Sequence, residues 1–459
     1  MLNAGDTAWV LAGAALVMLM TPGLAFFYGG MVRAKSVLNM LMMNFIALAV
    51  VGVLWVLFGF SMSFGDDAFG GLVGNFDLAG LTDAFGKLVG YASDGPPPVP
   101  WPGPDALPLL AFCMFQLMFA IITPALISGA IADRAKFWGW TLFVAIWVVI
   151  VYFPVAHWVF SFDGFVGPDA VGGWIANKLK ALDFAGGTAV HINAGAAGLA
   201  LAIVLGKRKG WPKDTGRPHN VPFVLLGASL LWFGWYGFNA GSSLAANDLA
   251  AVAFTNTTVA TAAAVLGWLL VEQLRFGKPT TLGAASGAVA GLVAITPACG
   301  FVSPLGSIAI GVIAGVLCAL AVSLKYRLGF DDSLDVVGVH LVGGLVGTVL
   351  IGFFATTKVN SAGADGLFYG GGWKQLGIQV IAALSVLAYS FILTLIIGFA
   401  IKKAGGFRVS TEHEVSGIDE AQHAESAYDF TGIGGLGHAP TFPAKPVPAT
   451  PTKLEETKA

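Results

Sequence analysis

Charge is scarce in this sequence. Only 11% of its 459 residues are Asp, Glu, Lys or Arg, against roughly a quarter in an average soluble domain. That is too little to cover a water-facing surface, which excludes an ordinary soluble globular protein. The formal net charge of −2 supplies no basic field, so no nucleic-acid partner is expected. Cysteine is equally rare. Cys113, Cys299 and Cys318 are scattered through or beside apolar stretches, an odd set that offers neither a disulfide framework nor a metal motif. They read as small packing residues, and no cofactor is expected. Met1 to Met20 contains no Lys or Arg, so the basic start of a secretory leader is missing. The apolar run instead continues to Gly30, ahead of Arg33 and Lys35, and reads as a retained first helix.

Apolar length and glycine are abundant. Hydrophobic residues make up 56% of the chain and glycines number 62. Glycine distributed through apolar segments suits transmembrane helices that pack backbone against backbone. A spanning helix needs about 20 mostly apolar residues. About eleven segments qualify, near 8–30, 37–64, 107–132, 137–160, 187–206, 221–242, 249–271, 281–300, 304–324, 336–356 and 374–401. The stretch 65–106 is a long Gly/Pro/Asp loop. The expected fold is all-α, with a multi-pass transmembrane domain at 1–401 and a tail at 402–459.

Lys and Arg set the expected orientation. One set of loops carries Arg33, Lys35, Arg134, Lys136, Lys207, Arg208, Lys209, Lys213, Arg217, Arg275, Lys278, Lys325 and Arg327. The opposite set carries only Lys87, Lys178, Lys180, Lys358 and Lys374. The N-terminus is therefore expected outside and the tail, beginning with Lys402, Lys403 and Arg408, in the cytoplasm. Within the tail a short helix is expected at Ile418–Ala427, and the Pro/Thr/Lys-rich end after residue 440 is expected to be disordered. Gly432, Gly434 and Gly437 match a nucleotide-loop spacing, but no strand precedes them and no helix follows, so they carry no such site.

Two spans share a layout. The fifth begins Asp183-Phe-Ala-Gly-Gly-Thr-Ala-Val-His191 and the tenth Asp335-Val-Val-Gly-Val-His340, each followed by a Gly-rich run. Five helices separate them, so they run in opposite directions. An inverted repeat of five plus five helices with an additional C-terminal helix has this pattern. A twofold in the membrane plane would bring His191 and His340 together near the midplane. A lone buried histidine is usually satisfied by a carbonyl, but ionisable groups inside a membrane are costly and mark function. A symmetry-related pair strengthens that reading. His157 has no mate and reads as structural or interfacial.

With these motifs the chain resembles the ammonium transporter family of the ammonium transporter/Rhesus superfamily. The resemblance rests on Asp183 to Asn193, Gly234-Trp-Tyr-Gly-Phe-Asn-Ala-Gly-Ser242, Ile121-Ile-Thr-Pro-Ala-Leu-Ile-Ser-Gly-Ala130, Asp331-Asp-Ser-Leu-Asp-Val-Val-Gly-Val-His340, Pro22 to Met31 and Ile295 to Gly300. It covers about residues 4–430. The resemblance implies that His191 and His340 line a hydrophobic pore, that Phe119 and Phe238 close it from outside, and that Trp235 lines it below. It implies an outer recruitment cup of Phe115, Phe160 and Ser242, with Asp183 shaping the cation site. It also implies a homotrimer in the cell membrane, a tail segment Gly417–Phe430 that couples subunits, and a PII-type signalling protein as a cytoplasmic partner. Many bacterial members carry Trp where this chain has Phe160, which keeps a π face but loses the indole N–H.

The residue types suit that chemistry. Aromatic faces attract any cation, by roughly 0.5–2 kcal/mol per contact, and Ser242 adds an acceptor that ammonium, unlike potassium, can use as a donor. Asp183 equally reads as an N-terminal helix cap. A bare charge crosses an apolar bore only at several kcal/mol or more, a cost that a molecule able to shed its proton avoids. Imidazoles both accept and donate protons. The expected function is ammonium or ammonia transport. The alternative is an ammonium sensor with little flux, against which the short tail counts. A membrane-embedded enzyme is disfavoured because no His-Glu-x-x-His and no nucleophile elbow occurs.

Overall fold

The computed structural model describes residues 2–90, 107–213 and 216–428. Among them ten helices are long and apolar enough to cross a membrane: α1 (Ala4–Met31), α2 (Val37–Phe64), α3 (Leu109–Ile131), α4 (Phe137–Phe160), α5 (Gly187–Leu205), α6 (Val221–Ser243), α7 (Asp248–Phe276), α9 (Pro304–Leu328), α10 (Val337–Phe354) and α11 (Lys374–Ala404). The expected span at 281–300 is the exception. Its helix, α8 (Thr281–Ile295), has 15 residues and at 1.5 Å per residue falls short of a hydrocarbon core about 30 Å thick. Residues 296–300 continue it as turns. The 65–106 loop contributes a small antiparallel pair, β1 (Leu88–Val89) with β2 (Leu107–Pro108). The Gly432–Gly437 match and the Pro-rich end lie outside the described residues.

Packing explains the glycine content. A Cβ on Gly311 would lie 2.2 Å from the Ala260 carbonyl oxygen, and one on Gly315 2.2 Å from that of Ala264, so α9 and α7 touch through their backbones. On Gly291 a Cβ would meet that of Ala264 at 2.6 Å, drawing α8 into the same layer. Gly311 and Gly315, four residues apart on α9, thus form a contact face. All three cysteines are buried and unpaired.

Helices α5 and α10 make the approach that matters for function. A Cβ on Gly195 would stand 2.4 Å from the Leu341 amide nitrogen, and one on Gly344 3.1 Å from both the Gly187 oxygen and His191 Cβ. Both helices open with a wide π-helical turn, Gly187–Ile192 and Val337–Leu341, and each turn contains a histidine. A carboxylate caps each start. Asp183 accepts from the Gly186, Gly187 and Thr188 amides at 2.7, 2.8 and 2.8 Å and from the Thr188 hydroxyl. The counterpart at α10 is Asp332, which accepts from Val336 and Val337 at 3.1 and 2.7 Å. This corrects the sequence match to Asp335. A cap must precede the first turn, and Asp332 lies eight residues before His340 as Asp183 does before His191. Asp335 sits at φ +63° and pairs with Lys325 Nζ at 2.7 Å.

The Lys/Arg-rich face is closed by a buried polar knot. Arg134, wholly buried, donates to the Ala130, Ala132 and Asp331 carbonyls at 3.0, 3.2 and 2.6 Å and to Ser333 Oγ at 2.5 Å. Arg208 donates to Asp331 through its backbone amide, Nε and Nη2 at 2.7, 3.0 and 2.9 Å. Burial alone would raise the Asp331 carboxyl, but the hydrogen bonds and charge of Arg208 outweigh it and hold the group below its usual range. The tail folds back here. α11 runs past residue 401 to Ala404, and the tail helix expected at Ile418–Ala427 is the shorter α13 (Ile418–His423), preceded by a further helix, α12 (Thr411–Ser416). Val409 donates to the Arg134 carbonyl at 3.0 Å. Asp419 caps α2 by accepting from Leu38 and Asn39 at 3.0 and 2.8 Å.

Two outcomes follow from this packing. Gly195→Val should force α5 from α10, lowering stability by about 1–3 kcal/mol and abolishing transport, as read by thermal unfolding in detergent and by uptake. Asp331→Ala removes three of the hydrogen bonds of buried Arg208 and leaves it only the longer contact to Asp133 Oδ2 at 3.4 Å, and should cost about 3 kcal/mol at pH 7. Because the folded Asp331 carboxyl is depressed, its contribution is present above the unfolded value of about 4 and is lost as pH falls through the lower, folded value. The gap in unfolding temperature between wild type and variant should therefore close only in that acid range.

Candidate functional site

Two adjoining cavities lie among α1, α3, α4, α5, α6, α8 and α10. The first is a recess on the side opposite the Lys/Arg-rich face. It is lined by Phe112, Gln116 and Phe119 from α3, Phe160 from the end of α4, Phe162, Phe165 and Phe184 from the segment between α4 and α5, and Ser242 and Leu244 at the end of α6. The second is lined by Met20, Leu24, Ile122, Leu126, Leu231, Trp235, Phe238, Val289, His191 and His340. Apart from the two imidazoles and the indole, every group in it is an aliphatic chain, the Met20 thioether or a benzyl ring.

Phe119 belongs to the recess and Phe238 to the chamber, and their ring centroids are 4.4 Å apart with planes at 43°. This aromatic contact forms the boundary between the two spaces. Behind it, Phe115 meets Phe119 edge to face at 5.0 Å. Phe115 is fully buried, lies against Gly13 and Gly241, and is not among the residues lining the recess. Gln116, unremarked in the sequence, is. Its signal was there: three residues before Phe119, it shares that helix face. Ser242 Oγ donates to the Phe238 carbonyl at 2.7 Å, which leaves its lone pairs as acceptors toward the recess.

Within the chamber the rings form a near-parallel series. His191 stacks with Trp235 at 5.4 Å and 18°, with Phe238 at 6.0 Å and 23°, and with His340 at 5.4 Å and 20°. The two Nδ1 atoms are 3.4 Å apart. A hydrogen bond between them requires one imidazole to present N–H and the other a lone pair, so the neutral pair holds unlike tautomers. His191 Nε2 is buried without a protein partner. Trp235 is fixed by its indole N–H, which donates to Thr296 Oγ1 at 2.8 Å.

Asp183 lines neither cavity; its oxygens are taken up by the four donors at the start of α5. His157 is fully buried beside the loop that follows α2, its Nδ1 3.2 Å from the Ser63 carbonyl and its Nε2 3.4 Å from Asp67 Oδ1. Among the described residues no three His, Cys, Asp or Glu side chains converge as metal ligands would.

Comparison with known proteins gives this geometry its context. The model of the Ammonium Transporter Family matches residues 8–428. The ammonium transporter of Mycobacterium bovis is 62% identical over 442 residues, covering 94% of this chain and 92% of the relative. That of Bacillus subtilis is 47% identical over 428 residues, covering 92% and 98%. Among solved structures, a sensor Amt protein superposes with a TM-score of 0.80 at 30% identity, covering 91% of this chain and 98% of its own. Candida albicans Mep2 superposes with a TM-score of 0.78 at 34% identity, covering 90% and 88%. Near-complete coverage at such identity, on a frame of membrane-length helices, leaves one assignment: the chain is a multi-pass membrane protein and belongs to the ammonium transporter family.

Proposed function

We propose that this protein transports ammonium by binding it in the aromatic recess, transferring its proton past the Phe119–Phe238 contact to the accepting nitrogen of the His191–His340 pair, and passing ammonia along the same two imidazoles. The observation that carries this reading is the juxtaposition of the stacked imidazoles with an otherwise apolar chamber directly behind the phenylalanine pair. Phe160, Phe119 and Ser242 provide two π faces and an acceptor for a cation, with Phe115 supporting Phe119 from behind. Past the rings the cost of an unsolvated charge rises steeply. Ammonium escapes it by leaving its proton, which potassium cannot do. The unlike tautomers of the His pair supply both a donor and an acceptor to a neutral amine. Asp183 contributes mainly by holding α5, and its charge favours a cation in the neighbouring recess.

The same reading sets the protein with its N-terminus outside and its C-terminus in the cytoplasm, following the Lys and Arg distribution. Matching caps and π-helical turns at α5 and α10 support an inverted repeat of five plus five helices, α11 being additional. The transmembrane domain is residues 1–401 and the cytoplasmic tail 402–459. A homotrimer, and a PII-type protein docking on the Lys/Arg-rich face, complete the proposal. The similarity to a sensor Amt protein supports a second reading, an ammonium sensor with little flux.

Currents from purified protein in liposomes on a solid-supported membrane separate the two. Transport predicts an ammonium-evoked current or uptake and no response to potassium; absence of both flux and current favours the sensor. In the transporter, His191→Ala/His340→Ala should cut ammonium flux at least about tenfold or let potassium pass, and unchanged transport would refute the relay. Asp183→Ala should lower thermal stability by about 2 kcal/mol or more, since three buried amides lose their acceptor. A variant of wild-type stability with only a raised KM would assign Asp183 to the cation field alone.

A further inference from the structure

The recess holds seven apolar residues, Phe112, Phe119, Phe160, Phe162, Phe165, Phe184 and Leu244, and two polar ones, Gln116 and Ser242. Ser242 has committed its proton to the Phe238 carbonyl and can only accept. The Gln116 carboxamide makes no hydrogen bond to any described residue. Between positions 111 and 131 of α3 every side chain is buried except Met114, which is 38% exposed, and half-buried Gln116. The amide is therefore uncommitted on the recess wall and free to form hydrogen bonds with a ligand there.

We propose that Gln116 is a specificity-determining residue of the recess, its carboxamide oxygen accepting a hydrogen bond from the ammonium ion alongside Ser242 Oγ. This rests on the recess being the recruitment site. Ammonium has four directional N–H donors. Two oxygens and the faces of Phe119 and Phe160 satisfy them in a space that is otherwise aromatic. Potassium is the same size and charge but needs a shell of oxygens to replace its water. Two oxygens among seven apolar walls leave that shell incomplete. Selectivity would thus begin before the apolar chamber, in the small number of acceptors and their match to N–H directions. The role also bears on Phe160. Phenylalanine offers a weaker π face than tryptophan, so recognition in this recess falls more heavily on the two oxygens.

The test is the concentration dependence of ammonium-evoked current from the full chain in liposomes, with and without potassium. Gln116→Leu keeps bulk and removes the acceptor; it should raise KM about tenfold, the value of one charge-assisted hydrogen bond, while lowering the maximal current far less. Gln116→Asn, which keeps the amide but withdraws it by one methylene, should fall between. Gln116→Glu should lower KM and let potassium compete. Ser242→Ala and Phe160→Ala report on the recess itself. If they raise KM and Gln116→Leu does not, Gln116 only lines the wall and the inference fails. If none of the three moves KM, the recess does not recruit ammonium, and the recruitment reading falls together with this one.

Discussion

The site depends on how closely two helices can cross. At Gly195 and Gly344 the backbones of α5 and α10 come nearer than any side chain would allow. Only at that range can two imidazoles, each short and rigid, place their Nδ1 atoms 3.4 Å apart. The approach alone is insufficient. A regular α-helical turn advances 100° per residue, whereas the wider turns at Gly187–Ile192 and Val337–Leu341 rotate each histidine off that register. At a helix start four amides lack intrahelical partners. The carboxylates of Asp183 and Asp332 accept from those amides. Glycine contact, wide turn and carboxylate cap therefore form one device, present twice.

The two cavities divide the chemistry by polarity. In the recess a cation meets aromatic faces and two side-chain oxygens. In the chamber it would meet aliphatic walls and rings. The phenylalanine contact between them, at 4.4 Å, is where the environment changes. On the transport reading this step is the filter: it discriminates by acidity, a property in which ammonium differs from an alkali cation, rather than by size, in which the two agree.

Much of this was legible in the sequence, because burial in lipid leaves a coarse and redundant signal. Ten apolar runs of membrane length could be counted directly, and the helix at the remaining run, α8, is shorter than the run because Thr296 to Gly300 extends the apolar stretch where the backbone forms turns. The histidine pair was legible because ionisable residues in apolar runs are rare. The errors lie where geometry below one helical turn decides. Asp335 matched by motif, but the cap is Asp332, since what matters is which carboxylate precedes the first free amide. Phe115 was grouped with the outer cup, yet the recess is lined by its neighbour Gln116; one residue is about 100° around a helix, enough to exchange wall for core. Nothing local in the sequence announces that the π-helical turns would align His191 with Trp235 and Phe238 as well as with His340.

Why a membrane protein should bury Asp183 and Asp332 at all can be argued from the amides they serve. Within protein at membrane depth no water relieves an unpaired N–H, and each such group costs several kcal/mol. Removing Asp183 would expose three amides and a hydroxyl to that cost at once. Against this, a buried carboxylate that accepts four hydrogen bonds recovers most of what it lost in leaving water. The balance favours keeping the acid, whatever passes through the neighbouring recess. Structural need is thus sufficient to place a negative charge near the recess, and on the transport reading a field that favours ammonium there would follow from the fold rather than require a separate feature.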